Sequence, residues 1–228
     1  MLNDVKQEQF NLFDLTGYVN TARNQLAAET ECIRVPATLA LSIGTQSYPF
    51  SQITTTVSGV ASILNVRIAS LISGSAQSLL EQRPFEWFYS YYIASGAAGS
   101  NNYPVRWSQQ GQGSLGTIFL NPTPVASQTV SFDAVGLPIG LALDTDPEAI
   151  PYPWTDAVPF YAAYLALMSA RRIDEANLMF QQYSMFARRG RQESTGTVLP
   201  NNLPGTGGAG LASQKETLVG MPPQKQGR

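Results

Sequence analysis

The chain has 228 residues, of which 43% are apolar and 13% are charged. It can therefore bury a sizeable core, but it carries about half of the roughly 25% charged residues that are usual in soluble domains. Histidine is absent and Cys32 is the only cysteine, which excludes Ser-His-Asp and Cys-His catalysis, histidine-ligated metals and an internal disulfide.

The charges are distributed unevenly along the chain. Residues 1–187 contain 8 basic and 14 acidic side chains, whereas residues 188–228 contain 6 basic and 2 acidic ones. A nucleic-acid-binding domain usually concentrates Lys and Arg on one face, and the acidic body has no such cluster. We therefore do not expect the body to wrap DNA in a sequence-independent manner.

A surface with so little charge has two interpretations. It can be an interface with other protein chains, because charge normally keeps exposed surfaces solvated and apart. It can also be the neutral polar surface of an ordinary β-rich protein. Residues 35–66 are uncharged but too rich in Ser, Thr, Gln, Gly and Pro to cross a bilayer. The first ten residues lack the basic start and apolar run of a signal peptide, so we expect a soluble protein of cytoplasmic origin.

The N-terminal part predicts one amphipathic helix over residues 11–30. Its apolar side chains recur at helical spacing and predict the inner face: Leu12, Leu15, Val19, Ala22 and Leu26.

The middle of the chain, roughly residues 33–140, predicts mostly strands. Short β-prone runs such as 37–43 and 63–73 are separated by Gly, Ser and Thr. Residues 83–95 suit either a helix starting after Pro84 or an aromatic strand, and we predict the helix. The run GQGSLG at 111–116 lacks the lysine of a phosphate-binding loop and predicts a hairpin turn.

Two helices are predicted near the C-terminus. The stretch IPYPWTDAVPFYAAYLAL at 150–167 begins with prolines, which direct the chain into a helix with Asp156 as its N-cap and Pro159 in the first turn. This helix has almost no polar face and should be packed on most sides. A second, antiparallel helix follows, and Gly190 is predicted to end it.

Residues 191–228 have the composition of a linker, with runs such as LPNNLPGTGGAG. We predict an extended arm that binds a neighbouring subunit or another protein. Its candidate binding residues are a basic start and sparse apolar anchors: Arg188, Arg189, Arg191, Leu199, Leu203, Leu211, Leu218, Val219 and Met221.

No combination of residues indicates catalysis, a cofactor or a metal. Asp144, Asp146 and Glu148 lie close in sequence, but the glycine and bidentate glutamate of a calcium loop do not follow them. We interpret that segment as a solvated turn, and we expect a protein without enzymatic activity.

Three stretches together resemble the head-to-tail adaptor proteins of short-tailed bacteriophages, the group that includes tail tubular protein A. They are GYVNTARNQLAAETECIR, QGQGSLGTIFLNPTP and AIPYPWTDAVPFYAAYLALMSARRIDEANLMFQQYSMFARR, in the order found in the family. They span most of residues 1–190, and none is a catalytic signature.

The resemblance implies an α+β fold, in which an N-terminal helix and a C-terminal helical hairpin form a bundle and an antiparallel β-sandwich is inserted between them. The corresponding segments here are 1–32, 33–145 and 146–190, followed by the extended arm at 191–228. The resemblance also implies a homo-oligomeric, twelve-fold ring in the neck of the virion, assembled in the host cytoplasm. Such a ring joins the portal protein to the tail nozzle protein, and double-stranded DNA passes through its channel.

Two other functions stay open at this point. One is a β-sandwich binding or decoration module of a virion tail that holds sugars on Trp87, Tyr91, Tyr92 and Trp107, although we favour a place in the core for these aromatic residues. The other is a glycosidase-like enzyme built only on carboxylates, for which no residue pair stands out.

Overall fold

A computed structural model describes residues 10–95, 103–143 and 145–195, and the side chains of 91–95 and 192–195 are not described. The described residues form a mixed α+β fold with four helices and two sheets. The helices are α1 (Leu12–Thr30), α2 (Phe85–Ser95), α3 (Val158–Ser169) and α4 (Ile173–Thr195).

The five-stranded sheet has the order β3-β1-β9-β4-β5 and is antiparallel throughout. Its strands are β1 (Arg34–Ala40), β3 (Thr54–Thr55), β4 (Val60–Ser73), β5 (Ala76–Leu79) and β9 (Thr129–Pro138). Alternate residues of β1 are buried, as expected for strands with one face on the core. The long pairing of β4 with β9 contains three register shifts.

The four-stranded sheet has the order β2-β8-β7-β6. Its strands are β2 (Ser47–Pro49), β6 (Glu81–Gln82), β7 (Arg106–Gln110) and β8 (Thr117–Asn121). The β6–β7 pair is parallel, so the expectation of purely antiparallel strands is wrong for this pair. Parallel pairing becomes possible because α2 lies between the two strands and returns the chain in the same direction.

The chain passes from one sheet to the other around Leu80. This residue donates its backbone N–H to Ala69 of β4 at 2.9 Å, and Glu81 then donates to Val105 beside β7 at 2.9 Å. A second connection joins the backbone N–H of Val66 to the side-chain oxygen of Gln109 at 3.0 Å. Side chains from both sheets and from the helices contribute to one core cluster.

The predicted hairpin turn at GQGSLG is confirmed. It connects β7 to β8, whose paired ends are Gln110 and Thr117. Gly111 has φ +74°, and a Cβ atom there would lie 2.6 Å from the carbonyl oxygen of Leu115. Only glycine fits this turn without strain.

Helix α1 is confirmed, but its buried face differs from the predicted one. The buried residues are Ala22, Arg23, Leu26, Ala27 and Thr30, whereas Leu12 is exposed. In the first turn of the helix, Leu12 and its neighbour Phe13 face solvent, although Phe10 just before the helix is buried.

Arg23 connects α1 to the segment that leads from β9 into the C-terminal helices. Its guanidinium group is buried and binds both carboxylate oxygens of Glu148, with N–O distances of 3.0 and 2.7 Å. It also donates to the carbonyl oxygen of Ile139 at 2.6 Å. Asn20 adds a reciprocal pair of hydrogen bonds with the backbone of Leu141.

Helix α3 is confirmed, although its N-terminus differs from the prediction. Asp156 belongs to a short 3₁₀ turn, Trp154–Ala157, and the residue before α3 is Ala157, which has no side-chain capping bond. The prediction of Asp156 as N-cap is therefore wrong, because the 3₁₀ turn runs directly into the helix. Pro159 lies in the first turn as predicted.

A left-handed residue ends α3. Arg171 has φ +60°, its N–H bonds to the carbonyl of Met168, and the N–H of Arg172 bonds to the carbonyl of Leu167. These two bonds form a Schellman motif, in which glycine is the usual residue at the position of Arg171.

We expect Arg171→Gly to raise the free energy of unfolding by about 1 kcal/mol, because a residue with a Cβ atom is strained in the left-handed region. Arg171→Ala is the matched control and should leave stability nearly unchanged. Urea unfolding of both variants checks this, and equal stabilities of the two variants would contradict it.

Helix α4 continues beyond its predicted end. It runs through Gly190 to Thr195, so the prediction that Gly190 ends the helix is wrong and the first residues assigned to the arm are helical. Gly190 instead marks a close packing contact. A Cβ atom there would lie 2.9 Å from the Trp154 ring and 3.2 Å from the Thr30 methyl group.

Candidate functional site: the exposed surface of the C-terminal helix

The three arginines predicted to begin the binding arm lie on the last turns of α4. Arg188, Arg189 and Arg191 are all exposed. The opposite side of the helix is buried against the rest of the protein, through Ala176, Tyr183, Ala187 and Gly190. The arginines are therefore presented to solvent by a helix that is anchored along its length.

Aromatic side chains hold α4 against α3. Phe160 stacks on Phe186 with ring centroids 5.3 Å apart, and Tyr161 meets Tyr183 at 4.7 Å. A third pair, Tyr164 with Phe180, has a centroid distance of 5.1 Å. The partner numbers descend on α4 as they ascend on α3, as expected for antiparallel helices, and such ring pairs add stability beyond their buried area.

A hydrogen bond joins α4 to the C-terminal end of α1. The Tyr183 hydroxyl donates to the Glu29 carboxylate at 2.8 Å, and Gln25 donates to the other carboxylate oxygen at 2.7 Å. Burial, followed by the interaction with Glu29, raises the pKa of Tyr183. The hydroxyl therefore stays protonated at neutral pH and remains a donor.

A cavity of about 240 Å³ opens beside this contact. Its lining consists of Glu29, Phe180, Tyr183, Ser184, Ala187, Arg188 and Arg191. The Arg191 side chain, which lines this cavity, donates a hydrogen bond to the Glu29 carbonyl oxygen at 3.1 Å. Two of the three predicted arginines thus lie together on one cavity, while Arg189 does not line it.

The apolar candidates of the arm lie outside the described residues. They are Leu199, Leu203, Leu211, Leu218, Val219 and Met221. Their role stays a prediction.

Of the aromatic residues in the sugar-binding alternative, the two whose side chains are described, Trp87 and Trp107, do not form an exposed aromatic surface together. Trp107 is buried, with 1% of its surface exposed. The guanidinium groups of Arg83 and Arg106 lie 5.4 and 5.3 Å from the centroid of the Trp87 ring. The side chains of Tyr91 and Tyr92 are not described.

Both arginines beside Trp87 also form salt bridges with Glu81. The hydrogen bond from Arg106 and the nearby positive charges lower the pKa of Glu81. This cluster joins the start of α2 to β6 and β7.

Two of the acidic residues that were compared above with a calcium loop bind groups of the protein itself. Asp146 accepts hydrogen bonds from the backbone N–H groups of Ala142 and Leu143 at 2.7 and 2.8 Å, and Glu148 binds Arg23. Within residues 10–95, 103–143 and 145–195, no three acidic or cysteine side chains converge as a metal site would require.

Sequence reasoning missed two features that shape this region. Arg23 lies four residues after Val19 and three before Leu26, so the helical period places it beside the inner face, but its charge is typical of a solvated residue and its partner Glu148 is far away in sequence. The second feature is a set of large apolar side chains exposed on the helices, which includes Leu12, Phe13, Leu178 and Met185. Periodicity alone assigns Leu12 to the core.

Comparison with protein-family models and with curated proteins finds no match for this chain. Among the helices in the described part of the chain, none has the length and apolar character needed to span a membrane. The chain is therefore characterised by its own geometry: an α+β protein in which the C-terminal end of α1 contacts α4 through Glu29, and in which both helices carry exposed apolar side chains.

Proposed function

We propose that this protein is a structural subunit of a phage head-to-tail adaptor ring, without enzymatic activity. In this role copies of the chain form a homo-oligomeric ring, twelve-fold by the resemblance, between the portal protein and the tail nozzle protein. Packaged double-stranded DNA passes through the channel without sequence-specific contacts. The site of action is the neck of the virion.

The observation that carries the proposal is that the first and last helices of the described residues contact each other. Helix α1 packs closely against α3, and the bond from Tyr183 to Glu29 joins α1 to α4. Both sheets come from the chain between these helices. This connectivity agrees with the insertion of a β-rich region into a helical domain that the resemblance implies.

The finer arrangement, a helical bundle with an inserted β-sandwich, belongs to the same proposal. The two sheets contribute to one core and are connected by the Val66–Gln109 hydrogen bond. A core shared by two sheets is what a sandwich would have, because facing sheets pack through the side chains of their inner faces.

The exposed surface also favours assembly. Phe13 is 86% exposed and Leu12 is 66% exposed on α1. Leu178 and Met185 add further apolar area on α4. Large exposed apolar side chains are common at interaction surfaces, and a low content of charge leaves little to keep copies apart.

Electron microscopy of the purified chain, alone and mixed with the portal protein of the same phage, tests the proposal. We expect rings with a central channel that bind the portal vertex. A protein that stays monomeric and does not bind the portal would contradict the proposed function.

The arm can be tested separately in the full-length chain. Replacing Leu199, Leu203, Leu211, Leu218, Val219 and Met221 with serine should weaken portal binding or ring closure, because these residues are the proposed anchors. The matched control replaces Ser194, Thr197 and Ser213 with alanine, which leaves all six anchors in place. Unchanged binding of the serine variant would remove the arm from the proposal.

A second candidate, a sugar-binding module, is favoured by one feature. A cavity of about 590 Å³ beside α2 is lined by aromatic rings and polar side chains: Gln46, Ser47, Phe85, Phe88, Tyr89, Gln110 and Phe119. Aromatic rings beside amide groups suit a neutral polar ligand. Binding of glycans by a monomeric protein, in the absence of rings, would favour this candidate.

A further inference from the structure

A straight stripe of exposed side chains runs along the outer side of α4. Its members are spaced alternately by four and three residues, which places them on one side of a helix. They are Asp174, Leu178, Gln181, Met185 and Arg188, and all five are exposed. Tyr183, the most deeply buried large side chain of α4, lies half a helical turn away from the centre of this stripe.

The chemistry of the stripe changes in order along the helix. Within the stripe, Asp174 places negative charge at the beginning and Arg188 places positive charge near the end, whereas the neighbouring Glu175 binds Arg172. The apolar side chains of Leu178 and Met185, 56% and 59% exposed, lie between these charges. The distance from Asp174 to Arg188 along the axis is about 21 Å.

This order makes the stripe complementary to itself when it is read in the opposite direction. In an antiparallel pair centred on Gln181, Asp174 of each helix faces Arg188 of the other, and Leu178 faces Met185. Gln181 of each helix then faces Gln181 of the other helix. Within the stripe, each apolar residue therefore faces an apolar residue and each charged residue faces one of opposite charge, and the two-fold symmetry repeats each pair. Antiparallel helix dipoles add a further favourable contribution.

We propose that α4 packs antiparallel against α4 of a second copy of this chain, through Asp174, Leu178, Gln181, Met185 and Arg188. The contact is a closed two-fold interface, in which each residue uses the same surface on both copies. It is small, and it therefore forms a weak, reversible dimer. The inference does not depend on the proposed adaptor function, since it concerns the contact between two copies and not a ring.

Two charge variants test the pairing directly. Asp174→Lys makes both ends of the stripe basic, and Arg188→Glu makes both ends acidic. Each variant alone places like charges opposite each other twice, so its self-association should be roughly 10-fold weaker than that of the wild type. An equimolar mixture of the two variants should associate at least as strongly as the wild type.

Sedimentation equilibrium over a range of protein concentrations measures these associations. The mixture is the decisive sample, because loss of folding in either variant could not produce recovery on mixing. Circular dichroism of each variant confirms that its helices are intact. Charge variants that associate like the wild type, or a mixture that does not recover, would overturn the inference.

A cysteine variant tests the register. Gln181→Cys should form a disulfide-linked dimer under mild oxidation, because position 181 faces itself across the two-fold axis. Ser75→Cys is the matched control, since Ser75 is exposed in the turn between β4 and β5, and it should crosslink much more slowly. The native Cys32 is buried and present in both variants.

The outcomes separate this inference from the proposed function. Crosslinking at position 181 together with recovery in the mixture supports the α4 dimer, whether or not rings form. Rings or other assemblies that form without crosslinking at position 181 would overturn the dimer and leave the adaptor proposal standing. A protein that is monomeric at all concentrations would overturn the dimer as well.

Discussion

Glu148→Ala is expected to lower the free energy of unfolding by about 2–4 kcal/mol, somewhat less than the cost of removing one partner of a fully buried ion pair, because the Glu148 side chain is 36% exposed. The Arg23 guanidinium group is almost fully buried, with 1% of the side chain exposed. Without Glu148 it would keep a positive charge in the protein interior with only carbonyl and amide oxygens around it. Unfolding in urea, followed by tryptophan fluorescence, measures the loss.

The matched control for this prediction is Glu175→Ala. Glu175 also forms a salt bridge with an arginine, Arg172, but about half of each side chain is exposed. Its removal should cost less than about 1 kcal/mol. If both variants lost the same stability, the buried position of Arg23 would not matter, and the prediction would fail.

The same contact gives stability a dependence on pH. Burial by itself would raise the pKa of Glu148, but the hydrogen bonds from Arg23 and the Ile150 N–H, with the charge of Arg23, outweigh it and lower the pKa. A carboxyl group with a lowered pKa stabilises the folded state above its unfolded pKa of about 4.3, and this contribution is lost as the pH falls through the folded pKa. Wild-type stability should therefore decrease below about pH 4.3, and Glu148→Ala should show a smaller decrease.

Gly190→Ala should destabilise the protein although alanine is the better helix former. The gain in helix propensity is about 1 kcal/mol. A new Cβ atom would lie 2.9 Å from the Trp154 ring, and overpacking of this kind costs about 1–3 kcal/mol. We expect the steric cost to exceed the gain, because the Trp154 ring and the methyl group of the buried Thr30 both border this position.

Gly17→Ala is the matched control within α1. No atom lies within 4 Å of a Cβ atom built at Gly17, so the variant should gain about 1 kcal/mol from helix propensity alone. The two variants change the same residue type in the same secondary structure and should move stability in opposite directions. Equal gains in thermal unfolding experiments would show that α4 does not approach Trp154 closely.

Local patterns in the sequence predicted the elements of this fold well. Helical spacing predicted α1 and α4. Pro84 and Pro159 predicted the starts of α2 and α3, and glycines predicted the turn between β7 and β8. These signals depend on the backbone preferences of a few neighbouring residues. They are therefore present in any short stretch of the chain, before tertiary contacts form.

The same patterns failed where a distant residue changes the meaning of a local one. Gly190 is read as a helix end because glycine is weak in helices, but the structure uses it to let α4 approach Trp154. Arg23 is read as solvated because arginine is charged, but Glu148 comes close enough to bury it. Leu12 is assigned to the core because it follows the helical period, but its side chain is 66% exposed.

The sequence by itself determined the types of element, their order and the absence of histidine chemistry, because these follow from residue identity and from spacing within a few turns. Only the tertiary structure decided which side chains are buried, which helices meet and which surface of α4 faces outward. Those outcomes depend on contacts between residues more than 100 positions apart, such as Arg23 with Glu148 and Glu29 with Tyr183. No local preference encodes such a pair, because each partner gains its role only when packing removes both from water.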